Sequence, residues 1–332
     1  MATDSFPGPE AINMLSHLSR EHELLKKKNL EESFEWKRLY NEVTELKGNI
    51  RVFCRCRPLN EVENGIGLKK VVEFDSSQDT ELQIISSDSS KKQFKFDHVF
   101  KPEDNQDAVF AQAKPFVTSV LDGYIVCIFA YGQTGSGKTF TMEGSPENRG
   151  VNYKTLEELF RISWERNDII RYELSVSMLE VCNEKIKDLL VEHSNQTSKK
   201  LEIKQAADGI LDFPGLFEAR VHSTEELWEL LKSGIRVGSV GSTSANELSS
   251  RSHCLLRVIV MRYDLVNEKT TKSHLWLVDL ASRERVGKID VEGERLEESQ
   301  FINKSLSALE VAISALASKR GTPSSPSCCR VH

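Results

Sequence analysis

No Cys-x-x-Cys pair occurs among the seven cysteines of this 332-residue chain. They are scattered, and Cys54, Cys127 and Cys182 sit in apolar, strand-like runs, so they read as reduced and buried thiols of the cytosol or nucleus and not as a disulfide framework. No apolar run approaches the length that crosses a bilayer, and Met1-Ala-Thr-Asp has neither the charged nor the apolar region of a signal peptide. The expectation is a soluble, intracellular protein with no membrane partner. Positive charge is not in excess either. A net charge of −6 argues against nucleic acid as the main partner, while leaving room for a local basic face. With 39% hydrophobic residues the chain can bury a sizeable core, in one large domain or two ordinary ones.

What is present is organised around Gly132-Gln133-Thr134-Gly135-Ser136-Gly137-Lys138-Thr139, which fits G-x-x-x-x-G-K-[ST] at every fixed position. Its glycines let the backbone curl until the N–H groups point at phosphate oxygens. Lys138 would reach the β- and γ-phosphates and the Thr139 hydroxyl would sit on Mg²⁺. A glycine-rich surface turn is the bland alternative, and the flanks weigh against it. Tyr124 to Ala130 reads as a buried parallel strand, and Thr139 to Glu143 as the opening of a helix facing the phosphates.

In chain order, residues 1–17 carry Pro7-Gly8-Pro9 and read as a flexible leader. Leu18 to Lys47 reads as a helix ended by Gly48. Leu18, Leu25, Leu39 and Leu46 fall on one seam position, with Trp36 and Val43 on the other, but His22, Asn29 and Glu32 share that seam. A weak coiled coil giving a homodimer or heterodimer through residues 18–47, and a lone helix packed on the following domain, both stay open. The main domain begins at Asn49. Ile50 to Arg57 alternates as a strand with Arg51, Arg55 and Arg57 on its polar face, and Pro58 stops it. An arginine and a proline there could flank an adenine base. Strands are expected at 71–74, 82–85 and 94–96, then a helix over 104–121. After the loop come a helix at 153–165, a strand at 172–181, a short helical turn at 183–190 and a helix at 224–232. This order predicts an α/β fold with a central, mainly parallel sheet covered on both faces.

Two later stretches turn the loop into a candidate reaction site. Asn246-Glu-Leu-Ser249-Ser250-Arg251-Ser252-His253 sets small hydroxyls and an arginine before a strand, suited to a loop that closes on a terminal phosphate. His274-Leu-Trp-Leu-Val-Asp279 is an apolar strand ending in an acid, the way P-loop NTPases present their metal-associated aspartate. The chain has no Asn-Lys-x-Asp for reading guanine, which disfavours a guanine-nucleotide switch.

With those residues in view, the chain resembles a kinesin motor domain from Asn49 to about Ser318. The matching elements are Arg55-Cys-Arg57-Pro58, Phe129 through Thr139, Asn183 through Leu190, Asn246 through His253, Leu277 through Ala281 and Ile302 through Leu309. The resemblance implies a P-loop NTPase with an eight-stranded sheet flanked by helices, ATP and Mg²⁺ as ligands, and the microtubule as partner. It assigns the adenine to Arg55 and Pro58, the phosphates to Gly132 through Thr139, and Mg²⁺ to Thr139 and, through water, Asp279. Asn246, Ser249 and Ser250 resemble the first switch, which senses the γ-phosphate and positions water. Arg251 would pair with Glu284 of the second switch. A charged helix running straight into the first strand is similar to the neck of kinesins whose motor follows the stalk, a minus-end-directed class numerous in plants. The resemblance implies a place in the cytoplasm on the cytoskeleton. Lys26-Lys-Lys28 leaves the nucleus open, though such a run is more often a solvated helix face.

The domain plan is a leader over 1–17, a neck-like helix over 18–48, an incomplete motor domain over 49–319 and a disordered tail over 320–332. Two departures from the family pattern bear on function. Where the family reads Asp-Leu-Ala-Gly-Ser-Glu, this chain reads Asp279-Leu-Ala-Ser282-Arg283-Glu284; a left-handed backbone at Ser282 would be strained, and Arg283 would attract phosphate or compete for Glu284. Where the family has Gly-Asp, this chain has Glu310-Val311, and the expected loss of later motor elements would expose a sheet edge. The expected function is an ATP-driven microtubule motor. The alternative is a nonmotile, nucleotide-holding tether or regulator of full-length motors.

Overall fold

The computed structural model describes residues 8–75, 77–191, 201–205, 211–239, 251–283 and 294–318. Two compact units emerge, Met1–Asn49 and Ile50–His332. In the first, α1 spans Pro9–Lys47. It starts earlier than expected, so residues 9–17 are helical and not leader. Pro9 suits the first helical position, Glu10 favours the helix N-terminus, and Ala11 to Leu15 holds no breaker. Gly48, at φ 89°, ends it. The seam residues Leu18, Leu25, Trp36, Leu39, Val43 and Leu46 are all exposed.

In the second unit the elements are β1 (Phe53–Arg55), α2 (Glu61–Gly65), β2 (Val72–Phe74), β3 (Glu81–Ile85), β4 (Lys91–Lys95), β5 (His98–Phe100), α3 (Gln106–Leu121), β6 (Val126–Ala130), α4 (Lys138–Met142) and α5 (Val151–Glu165). Then come β7 (Ile170–Cys182), β8 (Lys185–Asp188), β9 (Lys204–Gln205), β10 (Leu211–Asp212), β11 (Ala219–Val221), α6 (Thr224–Ser239), β12 (His253–Asp264), β13 (Lys269–Asp279) and α7 (Glu294–Ser318). The central sheet runs β11-β7-β12-β13-β6, with β8 pairing β7, while β1 and β5 form a separate parallel pair.

The α/β plan is as expected, but the sheet is mixed where a mainly parallel one was predicted. Only β13–β6 is parallel within it; β11–β7, β7–β12, β12–β13 and β7–β8 are antiparallel. Two hairpins account for β12–β13 and β7–β8, because a tight turn leaves no room for a crossover helix. Residues 265–268 join β12 to β13, with the Asp264 carboxylate accepting from the backbone of Val266 and Asn267. Segment 183–190, read from sequence as a helical turn, is the return arm of the other. Asn183 and Glu184 take φ of 49° and 61°, the pair of left-handed residues that a type I′ turn requires. A second correction concerns Arg51, assigned to an exposed face. It is buried, with its guanidinium 3.7 Å from the Asp97 carboxylate.

Alternation along the strands divides the core into two layers. Val126, Ile128 and Ala130 of β6 and Leu275 and Leu277 of β13 pack with α3 and α5. Phe129, Tyr131, Trp276 and Val278 point the other way and pack with Ile302 and Leu306 of α7. Helices therefore cover both faces, and the sheet positions a rim between them.

The short connection from α4 to α5 has almost no slack. A Cβ on Gly150 would lie 2.6 Å from the Met142 backbone carbonyl, whereas one on Gly65 in α2 would meet open space. Gly150→Ala is therefore expected to lose about 2–3 kcal/mol by forcing backbone apart. Gly65→Ala should stay within about 0.5 kcal/mol of the parent protein. Chemical denaturation of both variants checks the pair, and equal stabilities would contradict the packing described.

Candidate functional site

Parallel pairing in register places Ala130, the last residue of β6, beside Asp279, the last residue of β13. The Leu280 N–H donates to the Ala130 carbonyl at 3.2 Å, so the two strands release their chains at the same rim. The carboxyl ends of parallel strands are where α/β folds bind ligands. From β6 the chain runs through Tyr131 into the glycine-rich loop, and α4 starts at Lys138 with Gly137 as its left-handed cap, φ 90°. Gly135 is also left-handed, at φ 75°. A side chain at Gly132 would fall on the Ser136 hydroxyl.

Two hydrogen bonds tie the loop to the end of β13. The Thr139 hydroxyl donates to Asp279 Oδ2 at 2.6 Å. The Lys138 ammonium donates to Ser282 Oγ at 2.8 Å and to the Gln133 carbonyl at 3.3 Å. Gln133 and Thr134 form the outer part of the loop. Asp279 Oδ1 and Ser136 Oγ are buried without a partner among the described residues, an unmet demand that a ligand or water can satisfy. The residues present thus fit an anion on Lys138 and the loop with a cation at Thr139 and Asp279. No described group of three or more His, Cys, Asp or Glu side chains holds a metal by itself, so phosphate oxygens and water would complete such a cation's shell.

Arg55, at the end of β1, donates from one guanidinium nitrogen to Gln106 Oε1 and to Thr141 Oγ1, both at 2.9 Å. Gln106, buried at the start of α3, donates in turn to the Phe140 carbonyl at 2.6 Å. The guanidinium also lies 5.4 Å from the centre of the exposed Phe140 ring. Arg55 is thereby locked to α4, with Pro58 exposed nearby in sequence. Gln106 and Phe140 were not singled out from sequence; a glutamine at a helix start and an aromatic after a P-loop carry no signal of their own.

Asn246, Ser249, Ser250 and Glu284 lie outside the described residues, so the expected Arg251–Glu284 pair has no described counterpart. Arg251 has an ion pair at 3.6 Å with Glu298 of α7. The next residues anchor the start of β12 at the same rim. Ser252 donates to Glu180 at 2.6 Å. His253 Nδ1 accepts from the Ala281 N–H at 3.0 Å, which fixes its proton on Nε2 for donation to Ser305 Oγ at 2.7 Å. One imidazole thus joins β12, the loop after β13 and α7. Ser282 is 3% exposed and is absent from the described non-glycine residues with positive φ, so the strain considered for it does not arise. Arg283 turns outward to Tyr131 and Glu310.

Burial sets the electrostatics. Glu143, just after α4, is pushed up to about 7 by burial and by the neighbouring Asp279 charge. Asp279 is raised by burial, against the Thr139 hydrogen bond and the Lys138 charge. Burial pushes His253 down to about 4 and Cys254 well above the usual thiol range. A cavity of about 10 Å³, room for one water, is lined in part by Glu143, Asn152 and Asp279, and Asn152 Oδ1 also lacks a partner.

Comparison with known proteins bears on the whole arrangement. The family profile described as the kinesin motor domain matches residues 55–326. Kinesin-like protein KIN-14S of Arabidopsis thaliana is 68% identical over 311 residues, covering 94% of this chain and 41% of that protein. Kinesin-like protein KIN-14J of Oryza sativa subsp. japonica is 61% identical over 295 residues, covering 89% and 35% respectively. The chain therefore spans less than half the length of these relatives. Among solved structures, the C-terminal motor and motor homology domain of Kar3Vik1, fused to a synthetic heterodimeric coiled coil, superposes with a TM-score of 0.77 at 30% identity. That match covers 97% of this chain and 90% of the other. A fast kinesin superposes with a TM-score of 0.74 at 31% identity, covering 85% and 84%.

The buried acid gives a pH signature. Glu143 has a folded pKa of about 7 against an ordinary 4.5. The folded chain then holds a proton that the unfolded chain has released, and stability falls as pH rises through that window. Glu143→Gln removes the effect. Relative to the variant, the parent should lose on the order of 3 kcal/mol between pH 4.5 and 7 and nothing further above pH 8. His253, depressed from 6.5 to about 4, acts oppositely: its contribution is present above 6.5 and is lost as pH falls toward 4. Because His253 is common to both proteins, the difference between denaturation curves across pH isolates Glu143; a pH-independent difference would contradict its assignment.

Proposed function

The chain belongs to the kinesin motor-domain family, and from that membership we propose that it binds ATP with Mg²⁺ and couples hydrolysis to movement on microtubules. The observation that carries the reading is the convergence of Lys138, Thr139, Asp279 and Ser282 at the joint end of β6 and β13. Mg²⁺, when bound, would neutralise charge on the phosphates. The chain's own residues supply the rest. Lys138 and the loop N–H groups would hold the phosphates, and Thr139 and Asp279 would hold the cation's shell. Arg55, Pro58 and Phe140 would flank the base, with Gln106 keeping Arg55 in place. Asn246, Ser249 and Ser250 would position the attacking water, and Arg251 with Glu284 would close the site. Phosphoryl transfer is mostly positioning and charge stabilisation, so a site assembled from two strand ends and two loops suits it.

Movement toward the minus end is part of the proposal, on the grounds of the helix that precedes the first strand in the chain and of the similarity to KIN-14 proteins. The exposed seam of α1 supports self-association, or pairing with a related chain, through residues 18–47. Residence on cytoplasmic microtubules accords with this reading, and no described helix is long and apolar enough to cross a membrane.

Ser282 supports a second reading, a nonmotile tether that holds nucleotide and microtubule without productive turnover. Its side chain stands where the family has none and engages the lysine that phosphate would need. Steady-state ATP turnover with and without microtubules separates the two. Under the motor reading, microtubules stimulate turnover, and Lys138→Ala reduces it about 10²- to 10³-fold. Microtubule cosedimentation without stimulation, reversed by Ser282→Gly, would overturn the motor reading in favour of the tether.

A further inference from the structure

The two places where the chain departs from the family pattern meet in space. Arg283 donates to the Tyr131 hydroxyl at 2.8 Å and makes an ion pair with Glu310 of α7. The Tyr131 hydroxyl lies 3.4 Å from the same Glu310 oxygen and donates to it. The triangle joins the loop after β13, the middle of α7, and the residue between β6 and the P-loop. It sits over the apolar cluster of Val278, Leu280, Ala281, Ile302 and Leu306, against which Tyr131 and Leu309 pack. With the family's serine at 283 or glycine at 310, the other member would lose its ionic partner. One residue before Arg283, Ser282 is buried and accepts from Lys138.

We infer that Arg283, Tyr131 and Glu310 are positioning residues that clasp the loop after β13 to α7 and thereby set how readily Ser282 releases Lys138 to a terminal phosphate. The mechanism follows from the short chain between the contacts. Ser282 and Arg283 are adjacent, so a loop held by Arg283 keeps the Ser282 hydroxyl on the lysine, and a phosphate that takes the lysine must compete with that arrangement. Arg283 and Glu310 are 48% and 49% exposed, which makes the clasp weak and sensitive to salt. It is graded to tune an equilibrium, not to block it. The ligand class affected is a nucleoside triphosphate more than a diphosphate, because only the former brings a γ-phosphate to the lysine and the loop.

The test uses the full chain with Glu310→Gln, Arg283→Gln, their double variant and the charge-swapped pair R283E/E310R. Tyr131→Phe, which removes a single hydroxyl, serves as a further probe. The first readout is amide hydrogen exchange at residues 280–283 without nucleotide. Each single charge variant should speed exchange about two- to fivefold, the double variant no more than either, and the swap should restore it. The second readout is the ratio of affinities for a non-hydrolysable ATP analogue and ADP. That ratio should shift toward the triphosphate by about two- to fivefold in the single variants and revert in the swap. Additive effects in the double variant, or unchanged exchange, would overturn the clasp. Altered exchange with an unchanged affinity ratio would overturn its positioning role. The inference rests on the nucleotide reading for this second readout alone. A parent protein that binds neither nucleotide would overturn that reading, leaving hydrogen exchange to decide the clasp.

Discussion

The register between β6 and β13 is the constraint on which the site depends. Five parallel pairs, from Leu275 beside Val126 to Asp279 beside Ala130, bring two strand ends to one line. A slip of one residue would turn every side chain to the opposite face. Asp279 would then leave Thr139, and Trp276 and Val278 would trade the α7 layer for the one beneath α3 and α5. The register is held by that burial on both faces, since Leu275 and Leu277 are fully enclosed on one side while Val278 packs with Ile302 and Leu306 on the other. The apolar core and the polar rim are two consequences of one pairing.

Burial then decides what the polar groups can do. Asp279 and Glu143 are close enough to interact, and neither is freely solvated, so ionising both is disfavoured. A buried charge needs a partner, and Lys138 and Thr139 supply one for Asp279 alone. His253 answers the same pressure differently. It stays neutral and uses one nitrogen as acceptor and the other as donor, so that a single ring fastens three segments. Charge is concentrated where phosphate and metal would use it and removed from the groups around it.

Legibility in the sequence followed the range of the interaction. The P-loop, the strand before it and the strand ending in Asp279 were readable because each is local: a spacing of glycines, an apolar run, a terminal acid. The helices Gln106–Leu121, Lys138–Met142 and Val151–Glu165 were placed to within about two residues for the same reason, whereas α6 runs on to Ser239 past the expected 232 and α2 was not expected. Strand direction was not readable, because alternation in β12 and β13 is the same whichever way a neighbour runs. Segment 183–190 was misread since Lys, Leu and Asp suit a helical turn, and only the left-handed pair Asn183-Glu184 reveals the hairpin. Arg51 looked exposed by alternation, and the nearby Asp97 carboxylate that accompanies its burial comes from a distant part of the chain. Gln106, Phe140 and His253 act through partners far away in sequence, which periodicity does not report.

The substitution of serine for the family's glycine at 282 illustrates the same limit. Judged locally, the loss of glycine threatens strain; in the folded chain the backbone there is not left-handed, and the added hydroxyl is buried with a partner. A buried hydroxyl that accepts from an ammonium is satisfied, so the change carries no desolvation penalty of the kind an orphaned group would. Its effect is competitive. Lys138 must exchange a neutral oxygen for a phosphate oxygen; both bonds draw on the ammonium charge, but only the phosphate adds a negative charge opposite it. The exchange would favour phosphate, so the proposed binding at Gly132–Thr139 is expected to survive the substitution. The burden would fall on the movement of the loop that carries Ser282, which Arg283 ties to α7 through Glu310. Under the proposed function, therefore, the affinity of the P-loop and the freedom of the segment that would respond to it are set by different residues.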